Sequence, residues 1–155
     1  MKQYLLSAIL SLMVICAIAP VQLSAQENKT EDESIPYALV EQVPTFQGSS
    51  ASVFSKWVST QLKYPASAKK IQASGRITLQ FTIDKTGQLT NVKILRSNLK
   101  SLANNTTSAE LKQTYQALEE EAIRVIKSSP AWEPGKQQGE AVNVTFIFPV
   151  VFQLK

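Results

Sequence analysis

The sequence contains no histidine, and its only cysteine, Cys16, lies in an apolar stretch near the N-terminus. Histidine is the usual general base near neutral pH and the commonest metal ligand, so its absence removes the simplest proton-transfer and metal chemistries together. Without a Cys/His set, the common zinc sites and the Cys/His or Ser/His nucleophiles cannot be assembled within one chain. A lone cysteine also forms no intrachain disulfide. The sequence therefore implies no catalytic residue, no metal and no cofactor, and a fold that rests on its hydrophobic core.

The 155 residues leave room for one domain, and the 44% hydrophobic and 18% charged content is ordinary for a globular fold. The N-terminus differs in kind. Met1 and Lys2 supply a short positive start, Leu5 to Pro20 is almost wholly apolar, and small residues follow at Ser24 and Ala25. This is the layout of a secretory signal peptide over residues 1–25. The alternative is a retained inner-membrane anchor over residues 4–23, since about 20 residues span a bilayer. Pro20, Gln22 and Ser24 shorten the apolar stretch and favour cleavage after Ala25, which places the mature protein in the periplasm. Cleavage would remove one of sixteen basic residues and none of the twelve acidic ones, leaving a mildly basic chain.

Residues 26–39 read as a flexible linker, because Gln26 to Pro36 carries Glu27, Glu31, Asp32 and Glu33 and almost nothing apolar. Residues 40–155 form the domain. Val40 to Phe46, broken by Pro44, reads as an edge strand or extended lead-in. Val53, Trp57, Val58 and Leu62 recur at helical spacing with Ser52 as the expected N-cap, and Tyr64-Pro65 ends that helix. Pro65 can open a further turn over Ala66 to Ile71.

Ile77, Leu79, Phe81 and Ile83 alternate with polar residues and predict a half-buried strand. Asp84-Lys85-Thr86-Gly87 is a turn, and Leu89 to Arg96 completes a β-hairpin. The polar stretch Ser97 to Thr107 reads as a surface loop. Leu111, Tyr115, Leu118, Ala122, Val125 and Ile126 then set a long helix from Ser108 to Lys127. Ala141 to Gln153 is the expected last strand, with Val142, Val144, Phe146, Phe148, Val150 and Phe152 on one face. Pro149 places it at a sheet edge with the missing donor outward. The predicted fold is α+β, an antiparallel sheet of three or four strands with two main helices packed on one face.

These segments carry a recognisable set of motifs: Tyr64-Pro65, Ala68, Gly75-Arg76-Ile77-Thr78-Leu79-Gln80-Phe81, Gly87, Val92, Ser97, Ala122 and Trp132-Glu133-Pro134-Gly135-Lys136. In that order they resemble the TonB C-terminal domain, from about Val40 to Leu154. The resemblance implies a protein-binding module of TonB-dependent outer-membrane transport whose last strand takes up an extended receptor peptide, the TonB box, by β-augmentation. It implies Lys63, Tyr64 and Pro65 as one contact region and Val142, Asn143, Val144, Thr145, Phe146, Ile147 and Phe148 as the other. The family has glutamine where Lys63 stands here.

The sequence also departs from a complete TonB. No histidine is available to couple an anchor helix to the ExbB and ExbD motor, and residues 26–36 reach only about 35 to 40 Å at roughly 3.3–3.6 Å per residue. Three readings stay open: a free periplasmic binding module, a membrane-anchored energy transducer of reduced form, and an envelope interaction or oligomerisation domain that has lost TonB-box binding, with a homodimer through the edge strand. Glu119, Glu120 and Glu121 read as a solvated helix face, since consecutive helical residues point about 100° apart. The basic residues Lys63, Lys69, Lys70 and Arg76 are too few in a mildly basic chain to indicate nucleic acid.

Overall fold

The computed structural model describes residues 33–154. The signal segment, the alternative anchor over 4–23, Cys16 and the acidic stretch 26–32 lie outside the described residues. The elements in chain order are β1 (Ile35–Pro36), α1 (Ala51–Gln61), α2 (Ala66–Lys70), β2 (Ser74–Ile83), β3 (Leu89–Lys100), α3 (Ser108–Lys127), β4 (Gly135–Gln137), β5 (Glu140–Val142) and β6 (Val144–Phe152). The main sheet has the order β1-β6-β2-β3, and β4 and β5 form a separate two-stranded hairpin. The three long strands are antiparallel, whereas β1 runs parallel to β6, so the four-stranded sheet is mixed.

Alternation decides which side of the sheet is inside. Ile77, Leu79, Phe81 and Ile83 of β2 and the even-numbered residues of β6 are buried on one face. Phe81 lies opposite Phe146, with ring centroids 5.4 Å apart. Helix α3 covers this face with Thr114, Leu118, Ala122, Val125 and Ile126. It starts at a capping box in which Thr107 Oγ1 accepts from the Glu110 N–H and Glu110 Oε2 accepts from the Thr107 N–H.

Helix α1 contributes Phe54 and Val58, one turn apart. Phe54 is the hub of an aromatic cluster, with ring centroids 4.8 Å from Trp132, 4.9 Å from Phe148 and 5.1 Å from Phe46. The N-cap is Ser50 rather than Ser52, so the helix starts earlier, and within it Val53 is exposed while Phe54 faces the core.

Other boundaries also move. Strand β3 continues four residues past Arg96, into the expected loop, pairing with β2 as far as Ser74, and an extra residue at Leu95 shifts the register between Thr78 and Leu79 of β2. The bulge returns Leu99 to the core side. The last segment is two strands: Val142 belongs to β5 and pairs with Gly135, and buried Asn143 separates it from β6. Part of the expected linker is structured, since Ile35–Pro36 pair with Val144 and Thr145 and the Tyr37 ring stands 4.6 Å from Phe146. Val40 to Phe46 is an extended lead-in, tied by single bridges from Gln42 to Lys136 and from Thr45 to Glu133.

Candidate partner-binding edge

Strand β6 lies between β2 and the short β1, so only part of it is an edge. The Ile35 N–H donates to the Asn143 carbonyl at 2.8 Å and the Tyr37 N–H to the Thr145 carbonyl at 3.0 Å. These bonds fix which backbone groups point away from β2. By the alternation of an extended strand, the groups of Ile147, Pro149 and Val151 point the same way, and among the described residues no strand lies beyond them. Pro149 therefore carries its missing donor outward, as a strand proline must if the ladder to β2 is to stay intact.

The expectation of a free edge from Val142 onward is corrected at its first four residues. Val142 is in another strand, and β1 covers the backbone of Asn143, Val144 and Thr145. The Ser34 hydroxyl also bonds the Thr145 hydroxyl. Asn143 accepts the Lys85 N–H through Oδ1 at 3.1 Å, which ties the start of β6 to the β2–β3 turn. Phe146 and Phe148 send their side chains into the core, while Ile147 is 58% exposed on the opposite face. The free edge runs on through Pro149, Val150 and Val151, which the sequence reading left out. The signal was present in the apolar Ile147 and Val151 at outward positions. A cleft of about 70 Å³ follows this edge on the core side, between Ser55 and Ser59 of α1, with Leu62 just past its end, and Phe148 to Val151 of β6.

Lys63, Tyr64 and Pro65 sit at the far end of the same strand. The Tyr64 ring packs edge-on against Phe152 at 5.8 Å, and its hydroxyl donates to the Ala73 carbonyl. Burial pushes the phenol above its ordinary range. Tyr64 is thus a structural tyrosine with its polar end turned inward. Lys63 is exposed, and its N–H donates to Glu121 Oε1 at 2.6 Å. Glu121 is not part of a solvated face. Burial raises its carboxyl, but the Arg124 guanidinium, in ion pair at 2.7 Å, and the Lys63 N–H outweigh that and hold it below the usual range. This carboxylate fastens α3 to the chain between α1 and α2.

The turn preceding β3 is closed in the same manner. Burial pushes Asp84 up, but the Thr86 hydroxyl and the N–H groups of Gln88, Thr86 and Gly87 together hold it below the ordinary range. Among the described residues no group of three or more His, Cys, Asp or Glu could hold a metal, and no helix is long and apolar enough to cross a membrane.

The sequence matches the profile of the Gram-negative bacterial TonB protein C-terminal family over residues 60–117 and 105–154. The chain belongs to the TonB C-terminal domain family. This family is a non-catalytic, energy-transducing module of TonB-dependent transport, facing the periplasm and interacting with TonB-dependent receptors. Two NMR solution structures of the Helicobacter pylori TonB C-terminal domain are similar to it. One, of residues 194–285, is 25% identical over 67% of this chain and 92% of that one, with a TM-score of 0.43. The other, of residues 179–285, is 24% identical over 70% and 86%, also with a TM-score of 0.43. No match was found among curated proteins. In this TonB C-terminal domain, the Trp132-Glu133-Pro134-Gly135-Lys136 motif wedges between the lead-in and the β2–β3 turn: Glu133 and Thr45 exchange backbone bonds at 2.9 and 3.1 Å.

Proposed function

We propose that this domain binds an extended segment of a TonB-dependent outer-membrane receptor by β-augmentation along Phe146 to Phe152, immediately beyond β1. The observation that carries the reading is the free half of β6, whose outward backbone groups at Ile147, Pro149 and Val151 meet no strand among the described residues. An added strand would place alternate side chains in the cleft beside α1 and over Ile147 and Val151, so backbone bonds supply affinity and these two surfaces selectivity. Lys63, Tyr64 and Pro65 flank the far end, with Lys63 exposed to a partner. The protein acts after export, with cleavage near Ala25 releasing it to the periplasm; retention of residues 4–23 would make it an anchored transducer.

NMR titration of the labelled protein with synthetic TonB-box peptides tests the reading. Amide shifts along Phe146 to Phe152 are expected, and Ile147→Pro should abolish them, because it removes a donor from the free edge. Thr145→Pro should instead loosen β1. Shifts elsewhere, or no binding at millimolar peptide, would refute receptor-peptide capture. A concentration-dependent dimer involving the same amides would identify a second copy as the occupant. N-terminal sequencing of the envelope protein decides between the released and anchored forms.

A further inference from the structure

Among the described residues, helices cover only one face of the main sheet. On the other, Arg76 of β2 and Lys93, Arg96 and Lys100 of β3 share the surface, by their registry with Asn98, Gln80, Thr78 and Ser74. All four are exposed. No aspartate or glutamate occupies any outward position of β2, β3 or β6, although nine acidic residues lie elsewhere among the described residues. Among the described residues, the one ion pair is that of Arg124 with Glu121, and no side-chain hydrogen bond engages these four cations. Arg76 stands diagonally between Arg96 and Lys100 on the neighbouring strand, an arrangement of like charges that costs free energy until an anion arrives. Beside Arg76 and Lys100 the face dips into a depression of about 500 Å³, bordered across the sheet by Val151. Ile147 and Val151 form an exposed apolar column along β6, 58% and 52% exposed.

The geometry points to this open sheet face as a docking surface for an acidic, amphipathic helix of another protein. Strand β2, which carries Arg76, separates the apolar column from the cationic column of Lys93, Arg96 and Lys100 on β3. The two columns therefore stand about 9 to 10 Å apart at 4.7–4.9 Å per strand, which matches the roughly 10–12 Å width of a helix. From Lys93 to Lys100 the track is about 20 Å long, the length of roughly 13 helical residues. A helix with apolar residues on one edge and carboxylates on the other meets both columns at once. A lipid surface fits less well, since no aromatic side chain projects from this face to sit at a membrane interface.

The test is NMR titration of the labelled full chain with an 18-residue helical peptide bearing a leucine stripe and a glutamate stripe. Its glutamine counterpart and phosphatidylglycerol vesicles serve as comparisons. Amide shifts are expected at Arg76, Arg96, Lys100 and Val151, with at least tenfold weaker binding of the glutamine peptide. The combined Arg76→Glu, Arg96→Glu and Lys100→Glu variant should lose tenfold or more in affinity at an unchanged melting temperature. Should that variant melt early, loss of wild-type binding on raising the salt from 50 to 500 mM carries the same information. Equal binding of the two peptides, shifts on another surface, or vesicles that perturb these same amides more strongly than the glutamate peptide does would overturn the proposal.

Discussion

The backbone N–H of Trp132 donates to the Gly87 carbonyl at 2.8 Å, and a Cβ on Gly87 would overlap the Trp132 carbonyl. Gly87 has φ +83°, as does Gly139 in the β4–β5 turn, where an added Cβ would meet nothing within 4 Å. The two positions share the same φ and differ in the space around them. Gly139→Ala should therefore cost about 1 to 2 kcal/mol from the left-handed conformation alone. Gly87→Ala should cost about 2 to 4 kcal/mol, since it adds an overlap with rigid backbone. Urea denaturation of the two variants measures the difference.

Phe54 is fully buried at the centre of the aromatic cluster, so its truncation leaves a void between Phe46, Trp132 and Phe148. Phe54→Ala should cost about 3 to 5 kcal/mol, whereas Val53→Ala, one residue earlier and exposed, should stay within about 0.5 kcal/mol. Similar effects at both positions in thermal unfolding would contradict the orientation of α1.

Tyr64 should report anchoring. Tyr64→Phe removes the bond to the Ala73 carbonyl and keeps the ring on Phe152, at about 1 kcal/mol, while Tyr64→Ala also empties the ring's site and should cost about 3 kcal/mol or more. Denaturation curves of both variants, recorded beside peptide titrations, separate loss of fold from loss of contact.

The pH dependence follows from the shifted groups. Asp84, Glu110 and Glu121 have lowered pKa values, Glu110 through the Thr107 N–H and hydroxyl. The stability they contribute is full above the ordinary carboxylate range and is lost as pH falls through their lower folded values. Tyr64 is raised, so its contribution is full below the ordinary tyrosine range and is lost as pH rises through its folded value. No histidine titrates between these limits. Melting temperature should be flat from about pH 5.5 to 9 and fall at both ends. Glu121→Gln should lower the plateau and soften the acid limb.

Elements with a long, uninterrupted period were legible from residues alone. The alternation from Ile77 to Ile83 marks β2, and the helical recurrence from Leu111 to Ile126 marks α3. The missed features share a physical cause: their partners, not their own patterns, create them. Ile35-Pro36 has too few residues to alternate, and β6 makes it a strand. The bulge at Leu95 inverts the parity of β3, so Leu99 could not be assigned to the core from Val92 and Ile94. Asn143 breaks an even-numbered apolar run that reads as continuous. For the candidate site, Pro149 gave the outward edge correctly. The cover that β1 places over Asn143 to Thr145 is a contact between segments more than a hundred residues apart, and local sequence does not encode it.

The parallel alignment of β1 with β6 also has a mechanical consequence. Chain tension arriving from the residues before Glu33 would reach the sheet at Ile35, along the strand axis. The bonds from Ile35 and Tyr37 to Asn143 and Thr145 would then share the load in shear and yield together, rather than peel one after the other. Release of this short strap would lengthen the exposed edge of β6 toward Asn143 without disturbing the packed helices. On the proposed function, a tug on the N-terminal chain would lengthen the strip of backbone open to the partner.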